Sequence, residues 1–363
     1  MTKLRKYIDN ATTGLDAIQR APIVDYETEL HCLRIQDISQ AKAFDNWGYT
    51  SANIEEVRNF LIKNGDMFMA RTGSTIGCNY YANKDMNSVF NNGLIRLRTN
   101  SQMLPQYLSF LMQTRSFRTF VNNVGMASAT QPNIKINDLL DYEFELPELS
   151  VQQHIINTIG SVDDLIENID KQNEKLLHIG LTLVDALNDS LDHQKLSIVC
   201  ELIKGFEIGS QNYLETPIDE SMIHYLRVGD LLSLGNTFVK PSGELMLCSD
   251  DDILIAFDGA PGRNTIGLEG AYSSGIYKVK CNPNHKGLVY FEINSELNQK
   301  IIKDHSQGTT ILHASKAIPF LEVAKVDNHT IEKLNALFKQ IIKNKKKLKL
   351  LNNEKQLLLS KYF

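Results

Sequence analysis

The chain has 363 residues, of which 42% are hydrophobic and 22% charged, and its formal net charge is −5. This composition is typical of a globular protein of about two domains and does not indicate a nucleic-acid binder on a whole-chain basis. No run approaches the ~18–20 apolar residues of a membrane span, and no apolar signal-peptide segment follows the N-terminus. Five scattered cysteines without a CxxC pair argue against a zinc cluster or disulfide framework. We therefore expect a cytoplasmic protein.

The two halves of the chain repeat related segments in the same order. HCLRIQDI (31–38) corresponds to HYLRVGDL (224–231), DMFMARTG (66–73) to DILIAFDG (252–259), and VFNNGLIRLR (89–98) to AYSSGIYKVK (271–280). Gly14 and Gly205 follow comparable openings, and the triplet Asn-Glu-Lys occurs at both 173–175 and 353–355. Chance can explain one such match but not five in order, so the sequence predicts an internal duplication.

Each half is predicted to be a mixed, β-rich domain. Short apolar or alternating runs between turn residues predict strands, namely MFMA (67–70), LIRLR (94–98), ILIAF (253–257) and GIYKVK (275–280). A helical segment follows in each half, PQYLSFLMQTRSFRTFV (105–121) and FEINSELNQKIIKDH (291–305). The predicted domain boundaries are 1–150 and 195–326.

Two long helices are predicted over 151–194 and 327–363. Steps of alternating four and three residues define a heptad stripe on each helix. The stripe residues are Ile155, Ile159, Val162, Ile166, Ile169, Asn173, Leu176, Leu334, Phe338, Ile341, Leu348 and Asn352. Residues 151–195 carry a net charge of −5 and residues 326–363 one of +6. The opposite charges and the matching Asn173 and Asn352 favour an antiparallel coiled coil with pseudo-twofold symmetry over two helices packed separately on their own domains.

Several segments resemble one known family. LPELSVQQHIINTIGSVDDLIENIDKQNEKLL (146–177) starts its helix with Gln-Gln, MARTGSTIG (69–77) joins a strand to a Gly-Ser turn, and ATQPNIKINDLLDYEFELP (129–147) carries a Thr-Gln-x-x-Ile segment. These segments, and the order domain, helix, domain, helix, resemble the DNA-specificity (S) subunits of type I restriction–modification systems. In the second half, FDGAPGRNTIG (257–267), TTILHASKAIPF (309–320) and VDNHTIEKLNALF (326–338) depart from this pattern.

The resemblance implies an α+β fold and a non-catalytic role. Each β-rich domain would be a target-recognition domain that reads one part of a two-part double-stranded DNA target, and the paired helices would hold the domains at a set distance. Two methyltransferase (M) subunits and restriction (R) subunits would join the complex. S-adenosylmethionine, ATP and magnesium would belong to these partners, and the chain would hold no cofactor.

Candidate DNA contacts are cations and amides on predicted loops, because Arg pairs with guanine edges and Asn or Gln with adenine edges. The candidates are Arg71, Ser74, Thr75, Asn79, Thr130, Gln131 and Asn133 in the first half and Arg263, Asn264, Thr309, Thr310 and His313 in the second. These side chains could instead touch only phosphate, or the Gly-rich turns could be tight corners within each domain. The cations of two strands, Arg96, Arg98, Lys278 and Lys280, form a further candidate face or ordinary solvated strand.

No catalytic motif stands out. GAPGRNT (259–265) lacks the Lys and hydroxyl residue of a phosphate-binding loop, and NPNH (282–285) is not a methyltransferase tetrad. His31 and His224 are expected to orient a strand, and the aspartates of 250–252 to form a solvated turn, with no metal site. The alternative function is a non-catalytic coiled-coil scaffold that binds protein partners without reading DNA.

Overall fold

The computed structural model describes residues 1–126, 132–232, 234–308 and 312–363. Its internal contacts divide the chain into two compact units. Unit 1 consists of Met1–Asp164 with Asn352–Phe363, and unit 2 consists of Leu165–Leu351. Both long helices therefore contribute to both units, a division that the sequence-based boundaries did not anticipate.

The strands of unit 1 form two four-stranded sheets and one two-stranded sheet. They are β1 (Thr2–Lys3), β2 (Ile8–Thr13), β3 (Ile23–Val24), β4 (His31–Leu33), β5 (Gly48–Thr50), β6 (Met67–Ala70), β7 (Asn79–Tyr81), β8 (Ser88–Phe90), β9 (Leu94–Thr99) and β10 (Glu143–Phe144). The sheet orders are β2-β9-β6-β7, β3-β5-β4-β8 and β1-β10.

The helices that begin in unit 1 are α1 (Ile35–Ser39), α2 (Ile54–Val57), α3 (Pro105–Gln113), α4 (Arg115–Met126), α5 (Ile136–Leu139) and α6 (Leu149–Ser190). The predicted helical segment 105–121 is thus two helices, α3 and α4. Thr114 separates them because its hydroxyl oxygen accepts a hydrogen bond of 3.2 Å from the Phe117 amide, as an N-cap residue does.

Unit 2 repeats this arrangement with β11 (His193–Lys195), β12 (Cys200–Lys204), β13 (Ile223–Leu226), β14 (Phe238–Val239), β15 (Leu247–Cys248), β16 (Ile253–Ala256), β17 (Asn264–Thr265), β18 (Gly270–Tyr272), β19 (Ile276–Cys281) and β20 (Glu322–Ala324). Its helices are α7 (Lys286–Asn294), α8 (Glu296–Asp304) and α9 (Asn328–Tyr362). The predicted segment 291–305 is again two helices, because the Ser295 hydroxyl caps α8.

The internal duplication is visible in the strand order of the two units. The antiparallel sheet β2-β9-β6-β7 has its counterpart in β12-β19-β16-β17, and the two-stranded sheet β1-β10 has its counterpart in β11-β20. The pair β4–β8 is parallel, as is the pair β13–β18. The remaining four-stranded sheets, β3-β5-β4-β8 and β14-β13-β18-β15, differ in one edge strand, β3 or β15. The shared part of the topology agrees with the repeated sequence segments.

The repeated glycines lie at matching close approaches of the backbone. A Cβ atom on Gly14 would overlap the carbonyl oxygen of Phe90, where β8 ends, and a Cβ atom on Gly205 would overlap the carbonyl oxygens of Tyr272 and Ser273, where β18 ends. The neighbouring amides make matching bonds, from Leu15 N to Phe90 O and from Phe206 N to Tyr272 O. Only glycine fits this approach without displacing the backbone.

The long helices pair within each unit. In unit 1, Lys355 forms a 2.7 Å ion pair with Asp163, and Tyr362 lies against His154, so the two segments run antiparallel. In unit 2, Asn344 bonds to Asn173. No helix in the described parts of the chain is both long and apolar enough to cross a membrane.

Candidate nucleic-acid interface

In unit 1 the loop between β6 and β7 is held against the segment that follows residue 131. Gly73 N donates a hydrogen bond of 3.1 Å to Pro132 O, and Ile134 N donates one of 2.9 Å to Arg71 O. The Arg71 guanidinium donates two hydrogen bonds, of 3.4 and 3.3 Å, to the Asn133 side-chain oxygen. Arg71 and Asn133, far apart in the sequence, therefore form one half-buried polar pair at the base of this loop.

In unit 2 the loop between β16 and β17 is held in the same way. Gly259 N donates to Leu312 O at 2.8 Å, and Ala314 N donates to Phe257 O at 2.7 Å. The polar pair at the base is Asp258 and His313, with the His313 Nδ1 atom 2.8 Å from a carboxylate oxygen of Asp258. The His313 side chain is largely exposed.

The two loops thus share a backbone frame and differ in their side chains. Gly73 and Gly259, with φ of +81° and +76°, make the equivalent turns, and such φ values favour glycine. Asn133 and His313 are equivalent positions, but Asn133 bonds to the cation Arg71, whereas His313 bonds to the carboxylate Asp258, which stands in the place of Thr72. One scaffold that carries different polar groups is suited to recognise two different ligand surfaces.

Comparison with known proteins agrees with this architecture. Residues 36–178 match the family described as "Type I restriction modification DNA specificity domain". The match lies in the first half of the chain. It includes the β6–β7 loop and Asn133 of unit 1.

Solved structures resemble the whole chain. The S subunit of a type I restriction–modification system from M. genitalium has a TM-score of 0.53 and 16% sequence identity, over 100% of this chain and 95% of its own. The HsdS subunit from Thermoanaerobacter tengcongensis has a TM-score of 0.39 and 14% identity, over 100% and 95% of the respective chains. No curated protein matches the sequence significantly. The first of these structures shows that the fold of such a subunit extends over both units.

In unit 1, the other predicted residues near Arg71 lie on the same loop or on β7. Ser74 is exposed, and Thr75 and Asn79 are half-buried. The Asn79 amide donates a hydrogen bond of 3.3 Å to Gly77 O. The remaining candidates Thr130, Gln131, Thr309 and Thr310 lie outside the described residues.

Two candidates of unit 2 are engaged within the protein. Asn264 forms a reciprocal amide pair with Asn294 of α7, with bonds of 2.9 and 3.1 Å. Arg263 donates a hydrogen bond of 3.3 Å to Val228 O. His313 therefore remains the most accessible of the described candidates in this unit.

The candidate strand face has a structural role instead. Arg96 is buried beneath Phe90 and donates to Asn59 O at 3.1 Å. Arg98 forms a bidentate ion pair with the buried Asp66, at 2.5 and 3.1 Å. In unit 2, Lys278 pairs with Asp252 and Lys280 with Glu201. Arg96 also lies 3.9 Å from Asp66, so each of the four cations has a carboxylate within 4 Å, but Lys280 and Glu201 are both exposed.

The histidines of the repeated motif His-x-Leu-Arg contact backbone carbonyl oxygens. His31 Nδ1 lies 3.1 Å from Trp47 O, and His224 Nε2 lies 2.5 Å from Gly235 O. The aspartates of the same motif, Asp37 and Asp230, accept hydrogen bonds from the amides of Arg34 and Arg227 and so fix the turn after the strand. The sequence-based expectation that the histidines orient a strand agrees with these contacts.

The aspartates of 250–252 form a salt-linked turn. Asp250 pairs with Lys346, and both Asp251 and Asp252 pair with Lys286. Among the described residues no group of three or more His, Cys, Asp or Glu side chains is arranged to hold a metal ion.

Most of the predicted heptad residues are inaccessible to solvent. Ile155, Ile159, Val162, Ile169, Leu334, Phe338 and Ile341 are buried, and Ile166, Asn173, Leu176 and Leu348 are half-buried. Asn352 is exposed, and Asn173 has a different amide partner, Asn344. The predicted pairing of Asn173 with Asn352 is therefore replaced by a pairing with Asn344.

Sequence reasoning missed the role of Gln152 in the Gln-Gln start of α6. Its side chain is fully buried, accepts a hydrogen bond of 2.9 Å from Leu104 N, and donates to Gln102 O and Pro147 O at 2.9 and 2.8 Å. It thereby joins the start of α6 to the start of α3. The neighbouring Gln153 is exposed. The first glutamine of the Gln-Gln pair, Gln152, therefore has a structural role.

Proposed function

We propose that the chain is the DNA-specificity subunit of a type I restriction–modification system and reads a two-part double-stranded target, one part with each unit. The observation that carries this proposal is the shared loop frame with different polar pairs, Arg71 with Asn133 and Asp258 with His313. A target whose two parts differ in sequence requires two recognition surfaces with different side chains, and a duplicated domain can supply both.

The chemistry of each pair suits base edges in the major groove. The Arg71 guanidinium can donate to guanine O6 and N7, and an amide such as Asn133 can pair with adenine. The Asp258 carboxylate can accept from cytosine N4, and His313 can donate or accept according to its tautomer. Because the two pairs differ in charge, the two parts of the target should differ in sequence.

The catalytic steps would belong to partner subunits. We propose that two methyltransferase subunits and the restriction subunits assemble on this chain, and that S-adenosylmethionine, ATP and magnesium are held by them. The net charge of −5 supports this division, because neutralised phosphates supply most of the non-specific affinity for DNA. Partners that surround the duplex would supply the positive charge that this chain lacks.

The test is co-expression with the methyltransferase subunit of the same locus, followed by single-molecule sequencing of the host DNA. We expect a modified motif with two defined parts around a gap of fixed length. Arg71→Ala should relax one part only, and His313→Ala the other part only, whereas Lys84→Ala, at an exposed position away from both loops, should leave the motif unchanged. If the complex forms but no base is modified and no DNA is bound, the chain is a protein scaffold instead.

A further inference from the structure

Unit 1 contains an open cleft beside the β6–β7 loop. It has a volume of about 600 Å³ and lies between β7, the ends of α1 and α3, and one face of α4. Ile76 and Gly77 of the loop form part of its wall. The cleft is therefore continuous with the surface that carries Ser74 and Thr75.

The corresponding place in unit 2 is narrowed by side chains, and a cleft of about 650 Å³ lined by Pro261, Gln299 and Lys303 lies beside them. There Asn264 of β17 and Asn294 of α7 join in a reciprocal amide pair. In the same region the side-chain amide of Gln299, in α8, donates hydrogen bonds to Gly262 O and Ile293 O, at 3.2 and 2.8 Å.

The equivalent residues of unit 1 leave the cleft open. Asn79 and Gln113 occupy the positions of the amide pair, but among the described residues Gln113 donates only to Ser109, in its own helix. Arg118 stands where unit 2 has Gln299, since each is the fourth residue of the second helix. Its guanidinium is exposed and makes no hydrogen bond or ion pair with any described residue.

The lining of the cleft is matched to an anionic ligand with polar edges. It contains no carboxylate, although the whole chain is acidic, and Arg118 is its charged group. The amides of Asn79, Gln113 and Asn122 supply donors and acceptors around it. Phe117 and Val121 form an apolar floor that is shielded from solvent.

We propose that this cleft is a second DNA contact of unit 1, in which Arg118 binds a backbone phosphate and Asn122 reaches a base edge. The proposal rests on the proposed function and adds a second contact between unit 1 and DNA. Unit 1 uses its loop and the cleft beside it, where Arg118 and Asn122 stand in place of Gln299 and Lys303 of unit 2. Charge complementarity selects the occupant, because a lone unpaired guanidinium in a cleft without carboxylates favours phosphate.

The experiment uses the full chain in complex with its methyltransferase subunits and a duplex oligonucleotide that carries the methylated motif. Arg118→Ala should weaken binding about tenfold and reduce the slope of log K against log salt by about 1, the effect of one lost phosphate contact. Arg115→Ala is the matched control, since it removes the same charge from an exposed position of the same helix that does not line the cleft. We expect the control to change affinity less than twofold.

Asn122→Ala tests the base contact separately. We expect it to relax one position in the part of the motif that Arg71→Ala also affects, with the other part unchanged. Equal effects of Arg118→Ala and Arg115→Ala would overturn the proposal, as would an unaltered affinity in the Arg118 variant. If the wild-type complex neither modifies nor binds DNA, the proposed function itself is wrong, a result distinct from a normal wild type with silent cleft variants.

Discussion

The side-chain amide of Asn344 donates a hydrogen bond of 2.8 Å to the side-chain oxygen of Asn173. The two residues join α9 to α6 within unit 2, and Asn344 is only 5% exposed. Gln340 donates a second hydrogen bond, of 2.9 Å, to the Asn344 oxygen. Because a buried amide needs a partner, a shift of one helix along the other would leave the Asn344 amide nitrogen without an acceptor, whereas its oxygen would keep the bond from Gln340. The pair therefore fixes the register of these helices.

Replacement of either asparagine should destabilise unit 2. Asn173→Leu leaves the buried amide of Asn344 without this partner, which costs about 1–3 kcal/mol, and Asn344→Leu, which leaves the half-buried amide of Asn173, should cost less. The double variant should lose less than the sum of the two, because it leaves neither amide behind. Urea unfolding of the four proteins measures this coupling, with Asn168→Ala, at an exposed position of α6, as the control. Additive losses would show that the hydrogen bond does not fix the register.

The sequence predicted which faces of the two helices meet better than it predicted the offset of one helix along the other. The heptad pattern identified Asn173, yet it placed Asn352 opposite this residue, whereas Asn344 lies there in the structure. Asn344 is not on the predicted stripe, which passes through Lys345. A repeat of similar residues every three or four positions looks alike after a shift of one or two turns, so spacing cannot fix an axial offset.

Strands were predictable where apolar runs are bounded by turn residues, as for β6 and β16. The helix break at Thr114 was not predictable, because a threonine within a segment of helical apolar periodicity also fits a helix interior. Its role as a cap is visible only in its hydrogen bond from Phe117 N. Arg71 and Asn133 were each predicted as candidates, but their contact depends on tertiary structure. The engagement of Asn264 by Asn294 escaped prediction for the same reason.

The two repeated glycines should be intolerant of alanine. In Gly14→Ala the new Cβ would overlap Phe90 O, and in Gly205→Ala it would overlap Ser273 O. A backbone oxygen cannot rotate away, so we expect losses of about 1–3 kcal/mol or more. Gly229→Ala is the control, since nothing lies within 4 Å of its Cβ position. If thermal unfolding showed the same loss of stability in all three variants, the close backbone approach at Gly14 and Gly205 would not be what requires glycine.

Glu292 should make the stability of unit 2 depend on pH. Burial raises the pKa of its carboxyl group to about 6, although Ala324 N and the Asn188 amide both donate to it. Because the folded-state pKa exceeds the unfolded value, the folded state binds more protons between about pH 4.5 and 6. This group therefore lowers the free energy of unfolding as pH rises through that window, by about 1–2 kcal/mol.

Glu292→Gln isolates this contribution. The difference in unfolding free energy between the variant and the wild type should increase by about 1–2 kcal/mol from pH 4.5 to 6.5, because glutamine does not ionise. Glu296→Gln, at an exposed position of α8, should track the wild type. A difference that stays constant with pH would show that Glu292 does not titrate in this range.

The last turns of α9 should be required for the stability of unit 1. Leu359 is 2% exposed within the core of this unit, and Phe363 packs on Tyr107 with ring centroids 5.0 Å apart. Leu359→Ala removes buried methyl groups and should cost about 2–5 kcal/mol. Leu357→Ala is a matched control two residues away, at a side chain that is 72% exposed, and should change stability by less than about 0.5 kcal/mol.

Hydrogen exchange can assign the Leu359 effect to one unit. We expect faster exchange in β6 and β9 of unit 1, whose apolar residues Met67, Met69, Ile95 and Leu97 share a core with Leu359, and unchanged exchange in β16 and β19. Equal acceleration in both sets of strands would mean that the two units unfold together. Unchanged exchange in β6 and β9 would mean that the C-terminal turns do not stabilise unit 1.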